Sequence, residues 1–286
     1  LGDVYKRQLI MTATPIPRTL TMSIYGDLDV SIINELPPGR KKINTLTLKD
    51  SKRLRVFKFM KDQIKTGRQV YIVYPLIEES KKMDLKNLED GFESVCRYFD
   101  NENYAIGVLH GKMKSENKDF EMNRFVNGET NILVSTTVIE VGVNVPNASV
   151  MVIENAERFG LSQLHQLRGR VGRGEYNSYC ILMTKDKMSP DAETRINAMV
   201  STNDGFKISE IDLKLRGPGD ILGTQQSGVV DFKIADLTND LKIFDLAKKE
   251  VKKLISNDPK LKHSNNMTIR QELLEFYNNK SWSSIG

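Results

Sequence analysis

From Asp50 onward, apolar positions fall into two alternating rhythms. Leu54, Phe57, Met60 and Ile64 recur at the three-to-four-residue spacing of a helix that buries one face, and Gly67 punctuates its end. Gln69 to Leu76 is then a short β-rich run. The helical spacing returns at Leu85, Leu88, Phe92, Val95 and Phe99, ahead of a strand from Tyr104 to Leu109. Ser115 is placed to cap a further helix that carries Phe120 and Phe125 and stops at Gly128, after which Ile132-Leu133-Val134 reads as a strand. Apolar runs at Val150 to Ile153 and Ser178 to Met183 flank a helix expected to bear Gln166 to Arg173. Strands that alternate with helices of this length predict an α/β fold with a mostly parallel sheet covered on both faces.

After Thr184 the rhythm changes. Ser189 and Pro190 form the start signal of a helix, and Asn203-Asp204-Gly205-Phe206 leads into a second one bearing Ile208, Ile211 and Leu215. Arg216-Gly217-Pro218-Gly219 reads as the turn that breaks it. A last helix carries Leu237, Leu241, Phe244, Val251 and Leu254, with the pairs Lys248-Lys249 and Lys252-Lys253 on a solvated face. Ligands of sheets of this kind gather at the carboxyl ends of the strands, where Ser135, Asn155 and Arg158 fall.

Composition adds less. A chain of 286 residues with 39% hydrophobic and 28% charged positions is of ordinary globular type and long enough for one large or two modest domains. The net charge of +5 leans towards a polyanionic partner without requiring one. Cys96 and Cys180 sit in apolar patterns and read as core thiols, three scattered histidines give no metal site, and no segment reads as a membrane span or signal peptide. A cytoplasmic location is the expectation.

The strongest chemical signal is Gln166-Leu167-Arg168-Gly169-Arg170-Val171-Gly172-Arg173. Planar, bidentate cations one helical turn apart, with glycines that admit a phosphate-bearing partner, suit the transition state of polyphosphate cleavage. Thr12-Ala13-Thr14 precedes it, as does Ser135-Thr136-Thr137-Val138-Ile139-Glu140-Val141-Gly142-Val143-Asn144. The three runs resemble motifs III, V and VI of superfamily-2 helicases, in their usual order. Met11 to Leu20, Tyr25 to Arg40 and Arg158 to Gln166 resemble, more narrowly, the RecG branch, and the likeness covers roughly residues 9 to 255. It implies a RecA-like helicase C-terminal lobe followed by a helical translocation element, and an ATP- and magnesium-dependent 3′ to 5′ motor. That motor would be a monomer in a bacterial cytoplasm, remodelling branched or duplex DNA in recombination and repair. A similar motor occurs in the transcription-repair coupling factor, which stays open as an alternative.

By the same resemblance, Arg170 and Arg173 face the γ-phosphate with Gln166 beside them, and Gly142 and Asn144 line the nucleotide. Ser135, Thr136, Thr137, His110 and Gly111 meet the DNA backbone. Thr12, Thr14, Arg195, Arg216 and Gln226 couple hydrolysis to movement. Several of these positions also admit plainer readings. The hydroxyls after Val134 can cap the next helix, His110 can be a structural hydrogen-bonding residue, Arg168 can serve a lobe interface or the interior, and Arg216 can belong to a plain turn.

The sequence holds no Gly-x-x-x-x-Gly-Lys-Ser/Thr loop, since Gly107 to Met113 has three residues rather than four between its glycines and Met113 where a metal-binding hydroxyl is needed. The expectation is therefore a C-terminal fragment whose ATPase belongs to a longer protein with magnesium ligands on a preceding lobe, or else a non-catalytic DNA-binding remnant. The expected divisions are residues 1–8, non-native; 9–45, the end of a first lobe and a linker; 46–203, the helicase lobe; and 204–286, a translocation hairpin and loop with C-terminal helices.

Overall fold

The computed structural model describes residues 40–75, 81–100, 104–137, 143–221 and 240–279, with single positions at 9, 11, 31, 33 and 35. One sheet is built from β1 (Asn44–Lys49), β2 (Gln69–Val73), β3 (Ile106–Leu109), β4 (Ile132–Ser135), β5 (Ala148–Ile153) and β6 (Tyr179–Thr184). Across the sheet the order is β1-β6-β5-β2-β4-β3, and every pairing is parallel. Between strands lie α1 (Arg53–Lys65), α2 (Lys81–Phe99), α3 (Ser115–Val126) and α4 (Leu161–Arg168). After the last strand come α5 (Pro190–Ser201), α6 (Gly205–Ile221), α7 (Leu241–Asn257) and α8 (Met267–Asn279). This is the doubly covered α/β architecture expected of a RecA-like lobe.

Side chains alternate along a strand, so each central strand feeds two cores. Val70 and Ile72 of β2 pack with Phe57, Met60, Leu88 and Phe99 of α1 and α2. Tyr71 and Val73 join Leu161, Leu164, Leu167 and Met199 on the opposite face. Burial on both faces is why β5, enclosed at all six positions, reads as an unbroken apolar run rather than an alternating one.

The differences from expectation are local. β1 was not anticipated, because Asn-Thr-Leu-Thr-Leu-Lys is polar at every second position; it occupies a sheet edge, paired from Asn44↔Tyr179 to Lys49↔Thr184. α8 falls within the stretch expected to hold C-terminal helices, although its residues had not been assigned to one. Leu54 is 69% exposed and Val56 is buried in its place, and Phe120 is 61% exposed while Phe125 is enclosed. Lys114, not Ser115, is the residue before α3, and it makes no side-chain capping bond. Ser189 does cap α5, its hydroxyl accepting from the Ala192 amide at 3.3 Å. The expected turn at 216–219 is helical: α6 continues through Gly217-Pro218-Gly219 to Ile221. A proline inside a helix removes one hydrogen bond and bends the helix without having to end it. Cys180 is buried and Cys96 half-buried, both as free thiols. Among the described residues no helix is long and apolar enough to cross a membrane, and no group of His, Cys, Asp and Glu is placed to hold a metal ion.

Candidate functional site

α4 ends at Arg168, so Arg170 and Arg173 lie in the turn beyond it rather than on its face. The glycines explain the early stop: each costs about 1 kcal/mol inside a helix. Gly172 takes φ +75, and a Cβ there would stand 2.8 Å from Ile43 Cγ1, so the turn is folded hard against the residues that lead into β1. Arg173 Nε donates to the Gly169 carbonyl at 3.1 Å, and its Nη1 approaches Asn144 Oδ1 at 3.5 Å. Arg40 Nη2 donates to the same Gly169 carbonyl at 3.4 Å. Both guanidiniums thus sit at the negative end of α4. Their hydrogen-bond partners among the described residues are uncharged oxygens. Burial and then the Arg173 charge lower Arg40 from its ordinary value. Burial pushes the Tyr71 phenol up, against the pull of the Arg170 and Arg173 charges, which places both cations within electrostatic reach of the sheet.

Arg168 belongs to the interior. It is 2% exposed, donates to the Met199 and Thr202 carbonyls at 2.8 Å each, and approaches Thr45 Oγ1 at 3.4 Å. Its Nη2 also meets His165 Nδ1 at 3.2 Å. Burial, then the positive Arg168 and Arg40, hold His165 down to about 4, so near neutral pH the ring is an uncharged acceptor. Of the two readings open for Arg168, the structural one fits. Gln166 is half-buried on α4.

A second group forms where β3 and β4 end side by side, Leu109 opposite Ser135. The Thr136 amide donates to the Leu109 carbonyl at 3.2 Å, which brings the His110-Gly111 and Ser135-Thr136-Thr137 segments together. Ser135 and Thr136 are fully buried, the Ser135 hydroxyl donating to the Thr136 carbonyl at 2.8 Å. Thr137 and His110 are half-buried, and Gly111 is exposed with its carbonyl accepting from Lys118 Nζ at 2.9 Å. Burial lowers His110 from its ordinary value.

The sheet therefore divides the candidates. The second group sits at strand carboxyl ends, as do Asn155 and Arg158 just after β5, as expected. Arg40, Asn144 and Arg173 lie instead in the segments leading into β1, β5 and β6. The cause is α4: its eight residues, about 12 Å at 1.5 Å per residue, carry the chain from the end of β5 back towards the start of β6. Arg195 stands on α5, Nη2 donating to the Glu157 carbonyl at 3.1 Å. Thr12, Thr14, Gly142 and Gln226 lie outside the described residues, and of Arg216 only the helical backbone is described.

Two residues were missed as participants. Arg40 was read only as the end of a segment, although a cation directly after Pro37-Pro38-Gly39 marks a rigid approach to β1. Glu154 ends the apolar run of β5 with a carboxylate that is 2% exposed, and Arg53 donates to its two oxygens at 2.5 and 2.9 Å. Burial pushes that carboxyl up, and the Arg53 fork opposes the push.

Comparison with known proteins gives two family models, the helicase conserved C-terminal domain over residues 51–175 and "ATP-dependent DNA helicase RecG, domain 3, C-terminal" over residues 202–286. The ATP-dependent DNA helicase RecG of Bacillus subtilis (strain 168) is 49% identical over 93% of this chain, which spans 39% of that protein's length. RecG of Synechocystis sp. is 51% identical over 92% of this chain, which spans 31% of its length. A solved structure of RecG bound to a three-way DNA junction is 47% identical and superposes with a TM-score of 0.63, over 82% of this chain and 30% of that one. A RecG-specific model on the C-terminal helices and near-half identity across almost the whole sequence make this chain a member of the RecG helicase family.

Proposed function

We propose that this chain supplies the second motor lobe of an ATP-dependent DNA helicase that remodels branched DNA, with residues 46–203 as the lobe and 204–286 as the element that turns lobe movement into translocation. The observation that carries the reading is the turn at 169–173, where the Arg173 guanidinium meets a carbonyl and an amide oxygen rather than a carboxylate among the described residues. The donor set fits a nucleotide triphosphate: Arg170 and Arg173 meet charge that spreads over the phosphoryl oxygens, with Gln166, Asn144 and Gly142 alongside. Magnesium ligands belong to a lobe outside this sequence. The 47%-identical structure described as bound to a three-way junction supports branched DNA as the substrate.

Thr137, His110 and Gly111 are the positions through which backbone phosphates are held, a contact that fixes register without reading sequence. The hydroxyls of Ser135 and Thr136 are enclosed, so those residues act through the shape of the strand end. Thr12, Thr14, Arg195, Arg216 and Gln226 are the proposed coupling set. The motor acts as a monomer in the bacterial cytoplasm, with 3′ to 5′ polarity.

The test is Arg173→Ala in the full-length protein that carries this segment. DNA-stimulated ATP hydrolysis is expected to fall by about 10³ or more, with junction affinity nearly unchanged, because the lost contact is to the nucleotide and strengthens chiefly in the transition state. Normal hydrolysis with weakened junction binding would show that the turn holds DNA instead. The 286-residue chain alone is expected to hydrolyse no ATP.

A further inference from the structure

We infer that Arg40, on the segment leading into β1, is a third cation of the polyphosphate site formed by Arg170 and Arg173. Nothing in the motif pattern assigns it that place, and the proposal rests on the reading of the 169–173 turn as nucleotide-facing. Three observations carry it. Arg40 Nη2 and Arg173 Nε donate to one oxygen, the Gly169 carbonyl, at 3.4 and 3.1 Å, so a single chain of phosphate oxygens can meet both forks. The placement is built rather than incidental, because Gly172 at φ +75 leaves no room for a Cβ against Ile43 and so clamps the turn onto the residues following Arg40. Finally, no described carboxylate hydrogen-bonds to either cation, while the Arg173 charge adds to burial in lowering Arg40.

A carbonyl at a helix C-terminus can accept both donors through its two lone pairs, but it attracts positive charge only weakly. Two half-buried guanidiniums converging on it repel each other, and an anion bound between them removes that repulsion. Arginine suits the task because its planar fork can keep one arm on the carbonyl and turn the other to a phosphate oxygen. Arg40 thereby ties the residues just before β1 to the state of the site: with triphosphate bound, Arg40 is held at the arginine turn through the anion as well as through the Gly169 carbonyl.

The experiment titrates inorganic tripolyphosphate into the 286-residue chain by calorimetry, with melting curves recorded with and without the anion. Arg40→Ala is expected to weaken binding about tenfold, the size of a lost charged hydrogen bond. Arg173→Ala should weaken it by a similar factor, and Arg40→Lys should recover part of the loss because one charge returns without the fork. If Arg40 only caps α4, Arg40→Ala lowers the melting temperature equally with and without tripolyphosphate and leaves the affinity at the wild-type value, which overturns the proposal while Arg173→Ala still weakens binding. No binding by the unaltered chain, or full binding by Arg173→Ala, overturns the nucleotide-facing reading of the turn and this proposal with it.

Discussion

Arg168 and Arg173 stand five positions apart in one short run, and the structure gives them opposite employment. Arg168 is enclosed, with two backbone carbonyls from the end of α5 and the residues after it as its main partners. Arg173 is half-buried in a turn, held by one carbonyl through Nε, with Nη1 at 3.5 Å from Asn144 Oδ1. A guanidinium whose donors are spent inside the fold is a brace; one whose donors are kept in reserve has the means to serve a ligand, the role proposed for Arg173. Residue type and motif spacing do not distinguish the two. Where α4 stops does.

Arg168→Ala should produce the largest change in stability, about 3 kcal/mol by urea denaturation, because it leaves the Met199 and Thr202 carbonyls without their donor in a buried place. Arg173→Ala should cost under about 0.5 kcal/mol in the same measurement. Equal losses for the two would erase the distinction between brace and ligand group.

Gly172→Ala separates the turn from the brace. The side chain must be carried at positive φ against Ile43, which should cost about 1–2 kcal/mol and displace Arg173 while Arg168 keeps its carbonyls. Full stability with unchanged tripolyphosphate affinity would show that the turn does not depend on that glycine.

The smallest effect is a slope. The folded state holds His165 near 4, below the ordinary value of 6.5, so between those limits the unfolded chain binds more protons. The His165 contribution is complete above about pH 6.5 and is lost as pH falls towards 4. In His165→Gln, which keeps an acceptor for Arg168, the dependence of unfolding free energy on pH over that window should flatten by roughly one proton. An unaltered slope would mean that the ring titrates normally and that the brace does not need its neutral form.

How much of this could be read from sequence follows from what each position is asked to do. The central strands declared themselves because burial on both faces demands uninterrupted apolar residues, as in Val150 to Ile153. β1 did not, since an edge strand needs only every second residue and Asn-Thr-Leu-Thr-Leu-Lys offers two leucines. Helix ends were legible where side chain and backbone act together, as at Ser189, and misread at 216–219, where the α6 backbone continues through a proline. The motif singled out Arg173, and the structure places its guanidinium in a turn against uncharged oxygens. The convergence of Arg40 on the same Gly169 carbonyl was not legible, because 129 residues separate Arg40 from Gly169 and only the fold brings them together. The enclosure of the Ser135 and Thr136 hydroxyls likewise depends on packing that the local pattern does not contain.

The pairing of β1 with β6 bears on the order in which the molecule assembles. Thr47 Oγ1 donates to the Leu182 carbonyl across 135 residues of chain, and contacts of such long range form late and slowly compared with those inside a helix or between neighbouring segments. Ile43, against which Gly172 is clamped, and Arg40 enter on that same edge. A chain in which β2 to β6 have already collapsed would thus have a hydrophobic core but an incomplete arginine turn. On the proposed reading of that turn, the capacity to hold a polyanion arrives with β1, which makes anion binding a reporter of finished folding rather than of collapse.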